Sequence, residues 1–269
     1  MERIISVENS NVLVKMEIRL DLRKSVEQNA EIYFERAKKL KHKIAGARET
    51  VERTGKSLQK LEGHRVERPE AAEHKAKKEW YHKFRWFFSS EDFLVIGGRD
   101  ATSNEIVIKK HTEPNDLVFH TDMAGSPFFV VKVKNEAPTQ RTLLEAADAT
   151  CSFSRAWRLG LASTSVFYVK PAQVTKQANT GEYLTKGAFV IRGRTNYVEN
   201  KINVAVGLFQ GAVMAGPLDA VKKHCEKFVQ VVPGDKKVSD VAKMVRKLVG
   251  GGLDEIVRAL PGGNCELRR

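Results

Sequence analysis

Phe93-Leu94-Val95-Ile96-Gly97-Gly98, Glu105-Ile106-Val107-Ile108-Lys109-Lys110, Asp116-Leu117-Val118-Phe119-His120 and Phe128-Phe129-Val130-Val131-Lys132-Val133-Lys134 follow one another between residues 93 and 134. Each is a short apolar or alternating run, the pattern of a β-strand, and Gly97-Gly98 and Thr102-Ser103-Asn104 mark turns between them. One helical stretch follows over 142–163, with Leu144, Ala147, Cys151 and Trp157 on or near one face. Strands resume at 165–171, 188–194, 202–209 and 228–234, and helices close the chain at 238–250 and 253–260. Strand runs with inserted helices and no regular βαβ alternation predict an α+β domain with an antiparallel or mixed sheet over residues 89–269.

Upstream of the strands the period changes. Residues 3–20 read as two short alternating runs around Asn9-Ser10-Asn11, a small hairpin within residues 1–24. Tyr33, Ala37, Leu40, Ile44, Ala47, Val51, Thr54, Leu58 and Leu61 then alternate steps of four and three, a heptad seam. Ser25 with Gln28 forms a capping box at the start of this helix, and Gly46 and Gly55 weaken it locally. A turn near Gly63-His64 and a second helix over Pro69–Phe84 would supply the seam's partner, making residues 25–88 an antiparallel coiled-coil arm. Arg36, Lys38, Lys39, Lys41, Lys43, Arg48 and Arg53 cover its exterior. A solvated charged face is the bland explanation, and phosphate contact is the functional one.

Lys and Arg outnumber Asp and Glu by 46 to 33, and the net charge of +13 favours polyanionic partners. No apolar run approaches the roughly 20 residues of a spanning helix, and the N-terminus has no signal-peptide core, so a soluble cytoplasmic protein without a membrane partner is expected. Cys151, Cys225 and Cys265 are widely spaced and odd in number, which argues for buried thiols and against a disulfide framework or metal site.

Three blocks carry a family resemblance: residues 78–111, including Tyr81, Phe84-Arg85-Trp86-Phe87 and Ile96-Gly97-Gly98-Arg99-Asp100-Ala101; residues 116–132; and residues 173–197, including Thr180-Gly181-Glu182-Tyr183-Leu184. In this order they resemble the RNA-binding R domain of the NFACT proteins, and the likeness extends over roughly residues 12–210. The resemblance implies a role in ribosome-associated quality control, on a large ribosomal subunit still holding peptidyl-tRNA. The partners it implies are rRNA and tRNA, and no cofactor is implied. The family's N-terminal half, with its tailing-related motif, is expected to be missing, so the chain should bind without directing C-terminal tailing alone. A separately encoded chain carrying that half is a candidate partner.

Several side chains are candidates for nucleic-acid contact. Arg99 and Asp100 follow a strand and a Gly-Gly turn, with Asn104 in the next turn, and can present to phosphate or ribose; a structural Arg–Asp pair is the alternative. Alternation places Lys109 and Lys110 on opposite faces of their strand. Arg192 and Arg194, with Asn196 and Tyr197, form a strand-end patch with an aromatic ring for stacking, unless they are only a solvated terminus. Lys176 and Lys186 flank residues 180–184 and extend that surface. Trp80, Tyr81, Phe84, Trp86, Phe87 and Phe88 are expected to be core at the arm junction, with Arg85 the exception.

His120 and Asp122, two apart, form a polar site, but without a third ligand they do not define a metal centre. Where the family pattern has a further His, this sequence has Ala124. Gly97-Gly98 is no dinucleotide fingerprint. An RNA-binding module leads; a coiled-coil scaffold is the alternative. An enzyme acting on nucleic acid is disfavoured, since no nucleophile–base set or metal cluster is visible.

Overall fold

The computed structural model describes residues 2–7, 16–62, 79–177 and 184–268. The chain divides into two compact units, Met1–Ala71 and Ala72–Arg269.

In the first unit, strand β1 (Glu2–Val7) pairs antiparallel with β2 (Met16–Asp21), Glu2 opposite Asp21 and Val7 opposite Met16. The expected turn at Asn9–Asn11 lies outside the described residues. Helix α1 (Val26–Glu62) starts where the sequence signal places it. The Ser25 amide donates to Gln28 Oε1 at 3.0 Å, and the Gln28 amide donates to Ser25 Oγ at 3.2 Å. The helix is fastened to β2 by two side chains. Asn29 accepts from the Asp21 amide at 2.9 Å and donates to the Asp21 carbonyl at 3.0 Å, while the Tyr33 hydroxyl donates to the Arg19 carbonyl at 2.7 Å. Leu40, Ile44 and Val51 of the seam are exposed. Neither Gly46 nor Gly55 interrupts the helix. The turn at Gly63-His64 and the second helix as far as residue 78 lie outside the described residues. Its expected end is corrected, because Trp80–Lys83 is a single 3-10 turn and the chain is extended from Arg85.

The second unit is built on two antiparallel sheets. Its elements run β3 (Arg85–Phe88), β4 (Leu94–Gly97), α2 (Ala101–Lys110), β5 (Leu117–Thr121), β6 (Phe129–Val131), α3 (Gln140–Ser152), α4 (Arg155–Leu159) and β7 (Val166–Val169). There follow β8 (Val174–Thr175), β9 (Val190–Ile191), β10 (Asn196–Val198), β11 (Val204–Phe209), β12 (Ala212–Gly216), α5 (Leu218–His224), β13 (Phe228–Lys236), α6 (Val238–Val249), α7 (Leu253–Ala259) and β14 (Cys265–Leu267). One sheet has the order β10-β7-β5-β6-β4-β3, the other β12-β11-β13-β14, and β8 pairs with β9. All of the pairings are antiparallel, and the class is α+β.

Glu105–Lys110 is the main departure from the sequence reading, being the second half of helix α2 and not a strand. The single helix expected over 142–163 is broken at Phe153-Ser154 into α3 and α4, because the Ser154 hydroxyl caps the Ala156 amide and starts a new helix. Ala147, Cys151 and Trp157 are buried as expected, but Leu144 is exposed; α3 buries the face that carries Ala146, Ala147, Thr150 and Cys151. Phe84, Trp86 and Phe87 are core, as expected, whereas Trp80 is 44% exposed. The sheets meet closely at Gly216, where an added Cβ would stand 2.6 Å from Phe87. Among the described residues no helix is long and apolar enough to cross a membrane.

Candidate nucleic-acid interface

The end of β4 sets the geometry. Gly98 donates its amide to the Phe128 carbonyl at 3.1 Å, and the chain turns so tightly that a Cβ on Gly98 would lie 1.8 Å from Asn104 Oδ1. Asn104 is buried and accepts from the Phe128 amide at 3.2 Å, so its role is to pin α2 to the segment before β6. Asp100 is the N-cap of α2: its carboxylate accepts from the Ser103 amide at 2.8 Å, and Ser103 Oγ accepts from the Asp100 amide at 2.9 Å. The bond from the Ser103 amide, helped by one from the Ser103 hydroxyl, holds the Asp100 carboxyl below its ordinary pKa, with burial opposing.

Against this turn lies a cavity of about 370 Å³, walled by the Gly98–Asn104 turn, the loop before β6 and residues 185–189. It gathers six of the sequence candidates: Arg85, Arg99, Asp100, Asn104, His120 and Lys186. A second cavity of about 420 Å³ shares Arg85 and Arg99 with the first and adds Trp80, His82, Glu255 and Arg258. The two arginines therefore form a ridge between the cavities.

The ridge is oriented but not neutralised. Arg85 donates to the Leu260 carbonyl at 3.2 Å and lies over the Phe153 ring, 4.3 Å from its centroid. Burial pushes its pKa down to about 9, and the charge of Arg99 adds to the effect. It remains a cation at neutral pH. Arg99 donates to the Phe84 carbonyl at 2.7 Å, and its Nε is buried without a partner. Its pKa is lowered by burial first and by the Arg258 charge second, while Asp100 opposes. The alternative of a structural Arg99–Asp100 pair is not what forms, since Asp100 is committed to the cap and Arg99 to a carbonyl. Among the described residues no arginine makes an ion pair within 4.0 Å.

The other candidates stand apart from this centre. Lys109 and Lys110 sit on the last turn of α2, about 100° apart around a helix instead of on opposite strand faces, and Lys109 is 3.5 Å from Glu105. Lys176 is held by Glu105 at 2.6 Å and lies over Phe189, 4.7 Å from the ring centroid. That bond, with one from the Gly187 amide, lowers the Glu105 pKa to about 2. Arg192 and Arg194 do not extend from one strand. Between them Gly193 has φ +82, and Gln173 Nε2 donates to both their carbonyls at 2.9 Å, so the segment is a pinned turn. Asn196 and Tyr197 begin β10, where Tyr197 is 62% exposed.

His120 and Asp122 do not face each other as a pair. Strand β5 ends at Thr121, and the Tyr197 hydroxyl donates to Asp122 at 3.2 Å. His120 Nε2 lies 3.3 Å from the Ser126 carbonyl, and its ring stacks on Phe128 at 4.1 Å; burial lowers its pKa. Among the described residues no group of three His, Cys, Asp or Glu could hold a metal ion. Arg258 was missed by sequence reading, for nothing in its spacing ties it to residues 85 and 99. Residues 180–183 of the resemblance lie outside the described residues.

Residues 83–193 match the profile of the NFACT protein RNA binding domain, a span that contains the whole first cavity. Residues 2–79 match that of the NFACT N-terminal and middle domains. This second match corrects the expectation that the N-terminal half is missing altogether. The archaeal Rqc2 homolog aRqcH of Methanocaldococcus jannaschii is 40% identical over 71% of this chain and 29% of its own length. The human ribosome quality control complex subunit NEMF is 37% identical over 63% of this chain and 16% of its own. A solved structure, the C-terminal part of the fibronectin/fibrinogen-binding protein from Streptococcus suis, overlaps with a TM-score of 0.38 at 17% identity, covering 66% of this chain and 77% of that one. The chain thus spans less than a third of the length of these two curated relatives. With both matched regions in order along its sequence, it belongs to the NFACT family.

Proposed function

We propose that this chain is an RNA-binding component of ribosome-associated quality control, engaging rRNA or tRNA on the large subunit of stalled nascent-chain complexes. One observation carries the site assignment: Arg85 and Arg99 line both cavities, Arg258 lines the second with them, and among the described residues no carboxylate lies within 4.0 Å of any of the three. A phosphodiester supplies the missing counter-charge, and guanidinium groups suit phosphate because they can donate two parallel bonds. Exposed Lys186 lines the first cavity and adds a further cation. The relatives' names and the RNA binding domain match support the same direction. In this reading the chain binds RNA and performs no chemistry on it.

Salt titration tests it. Binding to single-stranded RNA and co-sedimentation with large subunits should weaken steeply with salt, and Lys186→Ala and Arg258→Ala should each lower the log–log slope by about 0.7. Lys243→Ala, a lysine paired with Asp240 on α6, should leave the slope alone. Salt-independent binding, or slopes unmoved by the Lys186 and Arg258 variants, would reject the ridge as the phosphate site. A second reading has its own support, since exposed Leu40, Ile44 and Val51 on α1 offer an apolar stripe to a protein partner. Deleting residues 30–75 would then abolish capture of that partner and spare RNA affinity.

A further inference from the structure

We infer that the second cavity is a slot for an unpaired RNA base, entered from the same arginine ridge that seats the phosphate. The inference rests on the RNA-binding reading of that ridge. The two cavities share Arg85 and Arg99 but differ in what surrounds them. The first adds Lys186, and among the described residues its one carboxylate, Asp100, is committed to capping α2. The second adds Glu79 and Glu255 beside Lys83 and Arg258, and the two carboxylates can accept hydrogen bonds from amino and imino groups. The carboxylate acceptors suit the second cavity to the amino and imino edge of a base, with the phosphate held on the arginine ridge at its mouth.

The walls fit a flat aromatic ligand. Trp80 is 44% exposed although it lines a cavity, and it is stacked on His111 with centroids 4.5 Å apart and planes 15° apart. A rigid, partly uncovered indole is a platform on which any base can stack. From β12 the lining has only Ala212, Val213 and Ala215, which are small side chains. The volume of about 420 Å³ falls within the range of roughly 300–1,000 Å³ usual for small-ligand sites. His82 completes the polar set. Its Nδ1 accepts from the Glu79 amide at 3.3 Å, which places the ring proton of the neutral form on Nε2 as a donor.

The experiment compares a short single-stranded oligoribonucleotide with an abasic oligomer of the same length and charge, by fluorescence anisotropy at low salt. The native protein should prefer the base-bearing strand by roughly tenfold, a typical stacking contribution for one base. Trp80→Ala should abolish the preference while leaving abasic binding unchanged, and Trp80→Phe should retain most of it. Glu255→Gln, on the exposed face of α7, should narrow discrimination between amino-bearing bases and uracil. Equal binding of the two strands by the native protein overturns the base slot but leaves the phosphate ridge standing. Equal loss of both strands in Trp80→Ala also overturns it, for Trp80 would then be acting on the fold. Binding of neither strand overturns the ridge and the slot together.

Discussion

Gly98→Ala tests whether the turn that presents Arg99 is held by steric fit. A methyl group there would stand 1.8 Å from Asn104 Oδ1, 2.8 Å from its Cγ and 2.9 Å from its backbone nitrogen. The Asn104 side chain, 8% exposed, has to leave its place. Two costs follow: overpacking, typically about 1–3 kcal/mol, and the buried Phe128 amide losing its acceptor, about another 1–3 kcal/mol. Gly98→Ala should therefore destabilise the domain by roughly 2–6 kcal/mol. Asn104→Ala alone loses only the hydrogen bond and some packing. In the double variant the side-chain clash is gone, though the close approach to the backbone nitrogen persists, so the combined loss should fall short of the sum by at least ~1 kcal/mol. Urea unfolding followed through the buried Trp86 and Trp157 reads this out, with an unchanged m-value as the control that the same surface unfolds. Additive losses, or a Gly98→Ala cost below ~0.5 kcal/mol, would show that the turn is not set by this contact.

Glu105 ties α2 to the segment that closes the first cavity, and its folded pKa of about 2 lies below the ordinary carboxylate value. A depressed folded pKa contributes stability that is present above the unfolded pKa, near 4.3, and is lost as pH falls towards 2. Thermal melts of Glu105→Gln should lack that part of the acid limb, and superimposable pH profiles would refute the clamp. Cys151, Cys225 and Cys265 are buried, with pKa values pushed up to about 11 by desolvation. All three should resist a thiol reagent at pH 8 in the native protein and react together on unfolding; rapid native labelling of any one would place it outside the core.

The strands of the two sheets were legible where apolar residues make up whole runs, as at Leu94–Gly97, Phe129–Val131 and Val204–Phe209. Glu105–Lys110 was misread because Ile106-Val107-Ile108 is β-branched, and β-branching favours strands only weakly when a helix start precedes it. The decisive signal was Asp100 followed three residues later by Ser103, a reciprocal cap that commits the next ten residues. Strand β12 escaped because Gln210 and Gly211 turn with φ of +49 and +80, a tight hairpin connection in which Gln is an unusual first residue. The site was half legible. Arg99 and Asp100 could be picked from their position after a Gly-Gly turn, but Arg258 approaches them only through the packing of α7 on β12, which no local pattern encodes.

The way positive charge is distributed supports the proposed ridge more than the net charge does. Among the described residues the carboxylates in ion pairs are held by lysines and a histidine: Lys132 by Asp116, Lys176 by Glu105, Lys223 by Asp92, with His224 close to the same Asp92. The arginines are bonded instead to neutral carbonyls, Arg85 to Leu260, Arg99 to Phe84, Arg158 to Gly262 and Arg192 to Gln177. A carbonyl fixes the plane of a guanidinium without cancelling its charge, and a group with five N–H donors keeps some free after one such bond. A lysine in the same half-buried place could shed its proton to escape desolvation; an arginine cannot. Among the described residues the ion-paired carboxylates thus go to ammonium groups and a histidine, and guanidinium charge without an ion pair is left at the boundary of two cavities, the arrangement on which the proposed phosphate contact rests.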